Sequence, residues 1–410
     1  MDGGRNMSTS LLYHGFGIRG YRHVKTEYEG GKVVFTVRQE TDDLRCAVCG
    51  SRNVIRRGCR QRRFRSLPIG THPVQAVLDV ARVSCMNCGA VRQVRVGFAD
   101  ERRSYTRAFE RYVLELSRRM TIQDVARHLQ VGWDTVKDIQ KRSLSRRFKS
   151  IPLKHLRQIA IDEISIGRGH RYLTVVLDLV SGAVVFVGDG KGAEALKPFW
   201  KRLKRARATI DAVATDMSPA YVAAVQTNLS NAVLVFDHFH IIKLFNEKLS
   251  DLRRDLYREA TDKLHKNVLK GTRWLLLKNP ENLDATREES KRLHQALTLN
   301  LPLATAYYMK EDLRQVWEQP NKQTAQRVLD DWIRRAESSG IRMLIKFSHT
   351  LAAHRNQILN FYDYPISTGP LEGTNTKIRV LQRQAYGFRD TEFFKLKIYA
   401  LHESRYQLVG

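Results

Sequence analysis

One stretch limits the fold more than any other: between Arg157 and Val187 the chain reads RQIAIDEISIGRGHRYLTVVLDLVSGAVVFV. Three runs rich in Ile, Val and Leu are broken by Gly167 and Gly169, then by Ser181 and Gly182, the pattern of three consecutive strands joined by turns. An acid, Asp162, follows directly on the apolar run Ile159, Ala160 and Ile161. A carboxylate in an otherwise buried strand is costly unless it is paired, protonated or bound to a cation; at a strand end it simply faces water. From Thr209 to Asp216 a second short run, TIDAVATD, closes on another acid, ahead of the turn residues Met217, Ser218 and Pro219. Two strand-end acids invite a metal.

The charge of the chain bounds what such a site would act on. With 410 residues there is room for two to three domains, and 42% hydrophobic content suits a globular protein. A formal net charge of +28 and a pI near 10.1 imply a large polyanionic partner, with nucleic acid ahead of acidic membrane. No long apolar run, secretory segment or amphipathic basic anchor is evident, so the expected location is the cytoplasm, with no membrane partner.

Four of the five cysteines form two pairs, Cys46 with Cys49 (CAVCG) and Cys85 with Cys88 (CMNCG). A Cys-x-x-Cys-Gly turn aims two thiolates at one tetrahedral ion, and Gly50 or Gly89 takes the backbone conformation the turn needs. The two pairs complete one structural Zn²⁺ site. The long gap between them favours a zinc ribbon with strands between the knuckles, one of them Val74 to Val83; Cys59 is left over as a spare thiol. From Arg52 to Arg65 the sequence RNVIRRGCRQRRFR carries seven arginines and no acid. Arg56, Arg57, Arg60, Arg62, Arg63 and Arg65 are therefore read as a loop that contacts DNA phosphates.

After a basic connector, Val125, Ala126, Leu129, Val131, Val136 and Ile139 fall at spacings that pack two short helices across a turn at Gly132. Thr121 is an N-cap with Asp124 three residues on. This is a helix-turn-helix pattern. Its second helix presents Trp133, Thr135 and Lys137 near the N-terminal end, where such helices meet base edges; Arg142, Arg146 and Arg147 follow as backbone contacts.

A strand ending at Phe236 leads into DHFH, where Asp237 and His240 meet on the first turn of a helix and either orient the neighbouring acids or cap that helix. From Ile241 to about His354 the pattern is helical and charged, and its tryptophans, Trp274, Trp317 and Trp332, are read as core. In the last stretch, PISTGPLEGTNTKIRVLQRQAYGFR, a loop with Gly369 and Pro370 opens a helix that carries Glu372, Thr376, Arg379 and Arg383 on one face. If that face points at the ends of the Asp162 and Asp216 strands, Glu372 is a third ligand of a metal site, and Lys377, Arg379 and Arg383 are phosphate contacts.

The ordered set of paired CxxCG knuckles, IDEIS around Asp162, the strand Tyr172 to Leu179, TDMSPAY around Asp216, FDHFH and LEGTNTKIRVLQRQAYGFR resembles the ISL-three-like family of bacterial insertion-sequence DDE transposases. The match covers nearly the whole chain. The resemblance implies a multidomain protein: an N-terminal zinc ribbon (1–100), an all-α helix-turn-helix (101–150) and an α/β RNase-H-like catalytic domain with a mixed sheet (151–244 and 355–410), interrupted by an all-α insertion (245–354). It implies Asp162, Asp216 and Glu372 as the catalytic triad, with Asp237 and His240 in support. Three carboxylates are hard oxygen ligands suited to two Mg²⁺ or Mn²⁺ ions per site. The activity implied is binding of terminal inverted repeats, hydrolysis at the element ends to free 3′-hydroxyls, and joining of those ends to target DNA, by a homodimer that brings two ends together in the bacterial nucleoid. A structure-specific nuclease of the same fold, or a DNA-binding regulator derived from a transposase, would share much of this sequence. The repeat sequence, target preference, excision pathway and dimer interface are not written in it.

Overall fold

The computed structural model describes residues 7–167 and 169–403. The chain forms two compact units, Met1–Lys149 and Ser150–Gly410.

In the first unit, helix α1 (Met7–His14) precedes strands β1 (Arg22–Glu29), β2 (Lys32–Arg38), β3 (Val54–Ile69), β4 (His72–Cys85) and β5 (Val91–Gln93). The sheet runs β1-β2-β4-β3, with β5 also beside β4. Its core joins Val33, Phe35 and Val37 of β2 to Val74, Ala76 and Leu78 of β4, with Phe64 and Phe98 closing over them. The arginine run, expected as a loop, lies in β3 from Val54 onward. Strand β4 is apolar enough to be buried along most of its length, and β3 pairs with it from Val54↔Cys85 to Ile69↔His72. As an edge strand, β3 carries its arginines on a row of backbone that, among the described residues, pairs further only in a bridge of Arg65 with Tyr105, and charge there blocks unwanted strand addition. A bulge between Arg56 and Cys59, at Gly58 with φ +107°, shifts the register within the run.

Three helices complete this unit: α2 (Arg107–Leu116), α3 (Ile122–His128) and α4 (Trp133–Arg147). Thr121 caps α3 as expected, accepting from the Asp124 amide at 3.1 Å and donating to its carboxylate at 2.6 Å. Val125, Ala126, Leu129, Val136 and Ile139 pack with Phe109 and Val113 of α2 into one small core. Glu110 is buried on α2 and holds α4 through Arg142 (2.9 Å) and Arg146 (2.8 Å).

The second unit opens with the anticipated three strands, β6 (Gln158–Gly167), β7 (Arg171–Asp178) and β8 (Val184–Asp189). Asp178 closes the second turn, accepting from the Val180 and Ser181 amides and the Ser181 hydroxyl. Helix α5 (Ala193–Ala206), β9 (Ala212–Thr215), α6 (Pro219–Asn228) and β10 (Val233–Phe236) follow. The sheet order is β10-β9-β6-β7-β8; β6, β7 and β8 are antiparallel, while β6, β9 and β10 are parallel. A three-strand meander whose first strand is extended on its other side by two parallel strands is the RNase-H-like arrangement.

Helix α7 (His238–Glu259) leads into α8 (Lys263–Gly271), α9 (Arg273–Leu277), α10 (Glu289–Leu299), α11 (Leu301–Arg314), α12 (Lys322–Ser338), α13 (Arg342–Ala353) and α14 (Arg355–Leu359); α15 (Gly369–Gln384) and α16 (Thr391–Tyr399) return to the sheet. The two-residue period of β6 sorts its side chains. Ile159 and Ile161 join α5, α6, α7 and the inserted helices in one core, whereas Ala160 and Ile164 join Leu371, Ile378 and Leu381 of α15 and Phe394 of α16 in another. The insertion thus shares its core with one sheet face, through Ile241, Phe245 and Leu249 of α7. Trp332 lies at its centre and donates to the Met309 carbonyl at 2.7 Å. Trp274, expected in the core, is 66% exposed, because α9 turns its neighbours Leu275 and Leu276 inward instead. Among the described residues no helix is long and apolar enough to cross a membrane.

Candidate active site and metal centre

Asp162 lies between Ala160 and Ile164 in β6, on the sheet face that α15 covers. Parallel pairing of β6 with β9 runs through Ala160↔Ala214, so two residues further on Asp162 comes level with Asp216, just past the end of β9. The pairing Phe236↔Thr215 carries the same line to Asp237, just past β10. Three acids therefore stand side by side, Asp162 inside β6 where its pairing with β9 runs out and Asp216 and Asp237 just past the ends of β9 and β10, about 4.8 Å apart per strand by sheet geometry.

They do different things. Burial pushes the Asp162 carboxyl up to about 6; the Glu163 amide and nearby His240 oppose that rise, and the charge of Asp216 adds to it. Its Oδ1 accepts from the Glu163 amide at 2.8 Å. Asp216 is half-buried and accepts from the Ser218 amide at 3.0 Å, which shapes the turn into α6. Asp237 is buried and fully engaged. One oxygen caps α7 through the Phe239 amide (3.0 Å), and the other accepts from the amide and hydroxyl of Thr368, the residue before α15. Asp237 thus caps its helix and also holds Thr368, at the start of the helix that bears Glu372. His240 stands 3.9 Å from Asp237, with Nδ1 buried and making no hydrogen bond.

Glu372 is exposed on the first turn of α15. One turn on, buried Asn375 donates from Nδ2 to Asp162 Oδ2 at 2.8 Å, while its Oδ1 has no partner. Sequence reasoning missed Asn375 and Thr368. The signal for Asn375 is its position three residues after Glu372, on the same helix face. Losing its amide would leave Asp162 free to turn, so Asn375→Ala is expected to raise the Mg²⁺ concentration for half-maximal DNA cleavage by on the order of 10- to 100-fold. A Mg²⁺ titration reads this directly, and an unchanged midpoint would mean that the contact is only structural.

Among the described residues, the four thiols of Cys46, Cys49, Cys85 and Cys88 are the one group of three or more metal-ligating side chains with ligand atoms all within 4.8 Å of one another. Asp162, Asp216 and Glu372 do not close to that spacing. Acids that share two ions about 4 Å apart need not, because ligands on opposite ions stand further apart than ligands on one. The donor set fits divalent cations: hard oxygens, one of them on the half-buried Asp162 carboxylate, whose ionisation desolvation opposes. The thiols fit zinc. Cys46 and Cys88 are 3.7 Å apart and Cys49 and Cys85 3.5 Å, close to the roughly 3.8 Å edge of a tetrahedron with Zn–S bonds of about 2.3 Å. Gly50 and Gly89 take φ +75° and +68°, where a side chain would be strained, and their amides close each knuckle onto the Cys46 and Cys85 carbonyls. Amides of Cys49 and Val48 aimed at Cys46 lower its thiol to about 6, toward the thiolate a metal needs. Cys59 is exposed on β3, away from this group.

The basic residues divide by exposure. Arg56, Arg57 and Arg60 are exposed on β3. Arg65 bonds the Leu129 carbonyl at 2.7 Å, Arg62 the Arg103 carbonyl at 2.7 Å, and Arg63 pairs with Glu29. Arg142 is drawn inward to Glu110 and to the Tyr105 hydroxyl (2.7 Å). On α4, Trp133 is exposed with Lys137 over its ring, Thr135 is half-buried, and Arg147 lies over Phe148. Lys377, Arg379 and Arg383 are exposed on α15.

The sequence is similar to those of known proteins. The ISL3 DDE family model, described as a transposase, matches residues 159–398, and a model described as the helix-turn-helix domain of transposase family ISL3 matches 94–144. The chain is 33% identical over 364 residues to the transposase for insertion sequence element IS1001 of Bordetella parapertussis, covering 87% of this chain and 88% of that one. It is 32% identical over 390 residues to the transposase for insertion sequence element IS1557 of Mycobacterium tuberculosis, covering 89% and 87%. A chain of the Drosophila P element transposase strand transfer complex overlays at a TM-score of 0.38 and 10% identity, over 73% of this chain and 92% of that one, too loosely to carry an argument. The family matches and the two relatives suffice: this chain belongs to the ISL3 family of insertion-sequence DDE transposases.

Proposed function

We propose that the protein binds the terminal inverted repeats of its insertion sequence, cuts at the element ends to free 3′-hydroxyls, and joins those ends to target DNA. The observation that carries this reading is the strand register: Asp162 and Asp216 level on adjacent parallel strands, under a helix that holds Asp162 through Asn375 and bears Glu372. Asp162, Asp216 and Glu372 would hold two Mg²⁺ or Mn²⁺ ions, which when bound supply an activated attacking oxygen and a stabilised leaving oxygen. Asn375 keeps one Asp162 oxygen turned toward α15, and Asp237 holds the start of α15 in place through Thr368. Lys377, Arg379 and Arg383, on the same helix as Glu372, would grip the phosphates that flank the reacting one. The reaction needs no covalent enzyme intermediate. Water displaces the 3′ oxygen of the last element nucleotide, and that oxygen then displaces one side of a target phosphodiester.

The first unit would supply end recognition. Arg56, Arg57 and Arg60 of β3 offer phosphate contacts, and Trp133, Thr135 and Lys137 stand where a recognition helix meets bases. Arg62, Arg63, Arg65, Arg142, Arg146 and Arg147 complete the basic surface, several while bracing the fold. The four thiols would hold one structural Zn²⁺. The domain limits proposed are those expected from sequence, 1–100, 101–150, 151–244, 245–354 and 355–410, with a homodimer as the unit that pairs two ends.

The test is linear DNA carrying both candidate inverted repeats, incubated with supercoiled plasmid and Mg²⁺. Element ends covalently joined to plasmid are expected. Bound but uncut DNA would point to a regulator, and cutting restricted to branched DNA to a structure-specific nuclease.

A further inference from the structure

The stripe that Glu372 begins does not end with its helix. Glu372, Thr376, Arg379 and Arg383 recur along α15 at steps of four, three and four residues, and the next step of three falls on Tyr386. Tyr386 is 100% exposed, the most open large apolar side chain among the described residues.

Its backbone is as unfavourable as its exposure. Where α15 stops, the Gly387 amide reaches back to the Gln382 carbonyl (2.9 Å) and the Tyr386 amide to the Arg383 carbonyl (3.1 Å). These paired bonds close a helix through one left-handed residue, ordinarily glycine. Here that residue is Tyr386, at φ +50°, and the glycine comes one place later. A bulky side chain in this conformation, reaching no core, costs stability and returns none to the fold.

Both flanks of the ring are anchored. Gln382 donates to the Ile166 carbonyl at 2.7 Å, which ties the last turn of α15 to β6. Phe388 stacks on Phe394 of α16, with centroids 4.5 Å apart and planes at 21°. Tyr386 therefore projects from a braced turn, between Arg383 and Arg389, both exposed. From Gln382 to Arg389 the chain carries no acid. A flat apolar ring held out between two cations matches the minor groove of duplex DNA: the arginines meet phosphates on its two lips, and the ring reaches the base steps between them. Fourteen residues separate Glu372 from Tyr386, about 21 Å of helix and so about six base pairs of duplex at 3.4 Å each.

We propose that Tyr386 enters the minor groove of the DNA being cut, about six base pairs from the reacting phosphate, and wedges open one base step so that the duplex bends. One helix points one way, so the contact falls on one side of the cut only. The unstacked step is offset by the additional length of bent duplex laid along the basic face of α15. This rests on the reading that Glu372 serves the cut, since the distance is counted from it.

The test uses the full-length protein and duplex DNA carrying the terminal repeat found beside the coding region, with its flank. With p-benzoylphenylalanine in place of Tyr386, irradiation is expected to crosslink the duplex about six base pairs from the cut, on one side. Tyr386→Ala and Tyr386→Gly should cleave that duplex at least about tenfold more slowly, and Tyr386→Phe, which keeps the ring, within about twofold of wild type. A two-base mismatch at the crosslinked step removes most of the stacking to be broken and should restore most of the rate to Tyr386→Ala. Tyr386→Gly should melt no lower than wild type, because glycine suits the left-handed position. Crosslinks spread evenly or lying elsewhere, Tyr386→Gly cleaving at the wild-type rate or melting below it, or no rescue by the mismatch, each overturn the proposal. Cleavage by the wild type is scored on the same duplexes. Its absence defeats the reading of the carboxylate site and this inference with it, whereas cleavage with the crosslink elsewhere defeats only the role given to Tyr386.

Discussion

Asp162→Asn protein is expected to cut and join element ends on the order of 10³-fold more slowly than wild type, or worse, in Mg²⁺ while folding normally. The expectation of a sound fold comes from the site itself. The amide oxygen introduced on β6 can still accept from the Glu163 amide, and Asn375 can turn its own amide over to present Oδ1, which has no partner in the wild type. Charge is what disappears. Asp216→Asn and Glu372→Gln should give the same loss, and any of the three nicking end-containing DNA at the wild-type rate would remove that residue from the reaction.

The same substitution makes a second, opposite expectation about stability. The folded Asp162 carboxyl is raised to about 6 from an ordinary 3.8, chiefly by burial. The unfolded chain therefore gives up this proton first as pH rises. Between the two values the folded state loses stability, and above about 6 the whole penalty is in place, at most about 3 kcal/mol. Without metal at pH 7.5, Asp162→Asn should melt no lower than wild type and up to a few degrees higher, an advantage that fades below pH 4. Millimolar Mg²⁺ or Mn²⁺ should raise the wild-type Tm at pH 7.5, less at pH 5, and leave the variant where it was. A wild type that is indifferent to both ions across this range would mean that the burial of Asp162 serves something other than cation binding.

How much of this is legible in the sequence depends on how local each signal is. The meander, the two knuckles and the helix-turn-helix are readable because each is written in a few dozen contiguous residues whose period or spacing admits one geometry. Asp216 is readable as a strand-end acid for the same reason, whereas Asp162, also expected at a strand end, lies inside β6, which runs on to Gly167. That they stand level with Asp237 is not readable, because parallel register is set by pairing between separate strands, β6 with β9 and β9 with β10, and nothing within one strand records it. Asn375 is hidden differently. An amide on a charged helix looks like surface until the partner it reaches, 213 residues earlier in the chain, is known. The arginine run reads as loop because seven arginines in fourteen residues suggest solvent on all sides; an edge strand meets that requirement too, provided the neighbouring strand is as apolar as β4. Trp274 reads as core because nothing in its sequence says which side of a five-residue helix the adjacent leucines will claim.

Stripping zinc from the protein, or replacing Cys46 with Ser, is expected to lower affinity for end-containing DNA at least tenfold while leaving the melting of the second unit in place. The reason lies in how unevenly the first unit is supported. Near the β3–β4 turn the sheet is backed by Phe64, Val74, Ala76 and Leu78 and by the helices below, a core that holds without metal. At the far end, β3 from Ile55 to Gln61 is exposed, β5 is three residues long, and little but Val80, Ala81 and Val83 is buried beneath them. Apolar burial there is small for three strands, and zinc on the four thiols, worth about 10–16 kcal/mol in isolated zinc-binding peptides at neutral pH, would hold that end together. Arg56, Arg57 and Arg60 sit on this end. When it frays, their grip on phosphate goes with it, and the slope of log affinity against log salt should become shallower by about 0.9 for each phosphate no longer neutralised, roughly two to three in all. Affinity measured by fluorescence anisotropy at several salt concentrations, with and without a chelator and then with zinc restored, separates this from general unfolding. If affinity falls but the salt slope does not change, the thiol cluster supports the fold somewhere other than under these arginines.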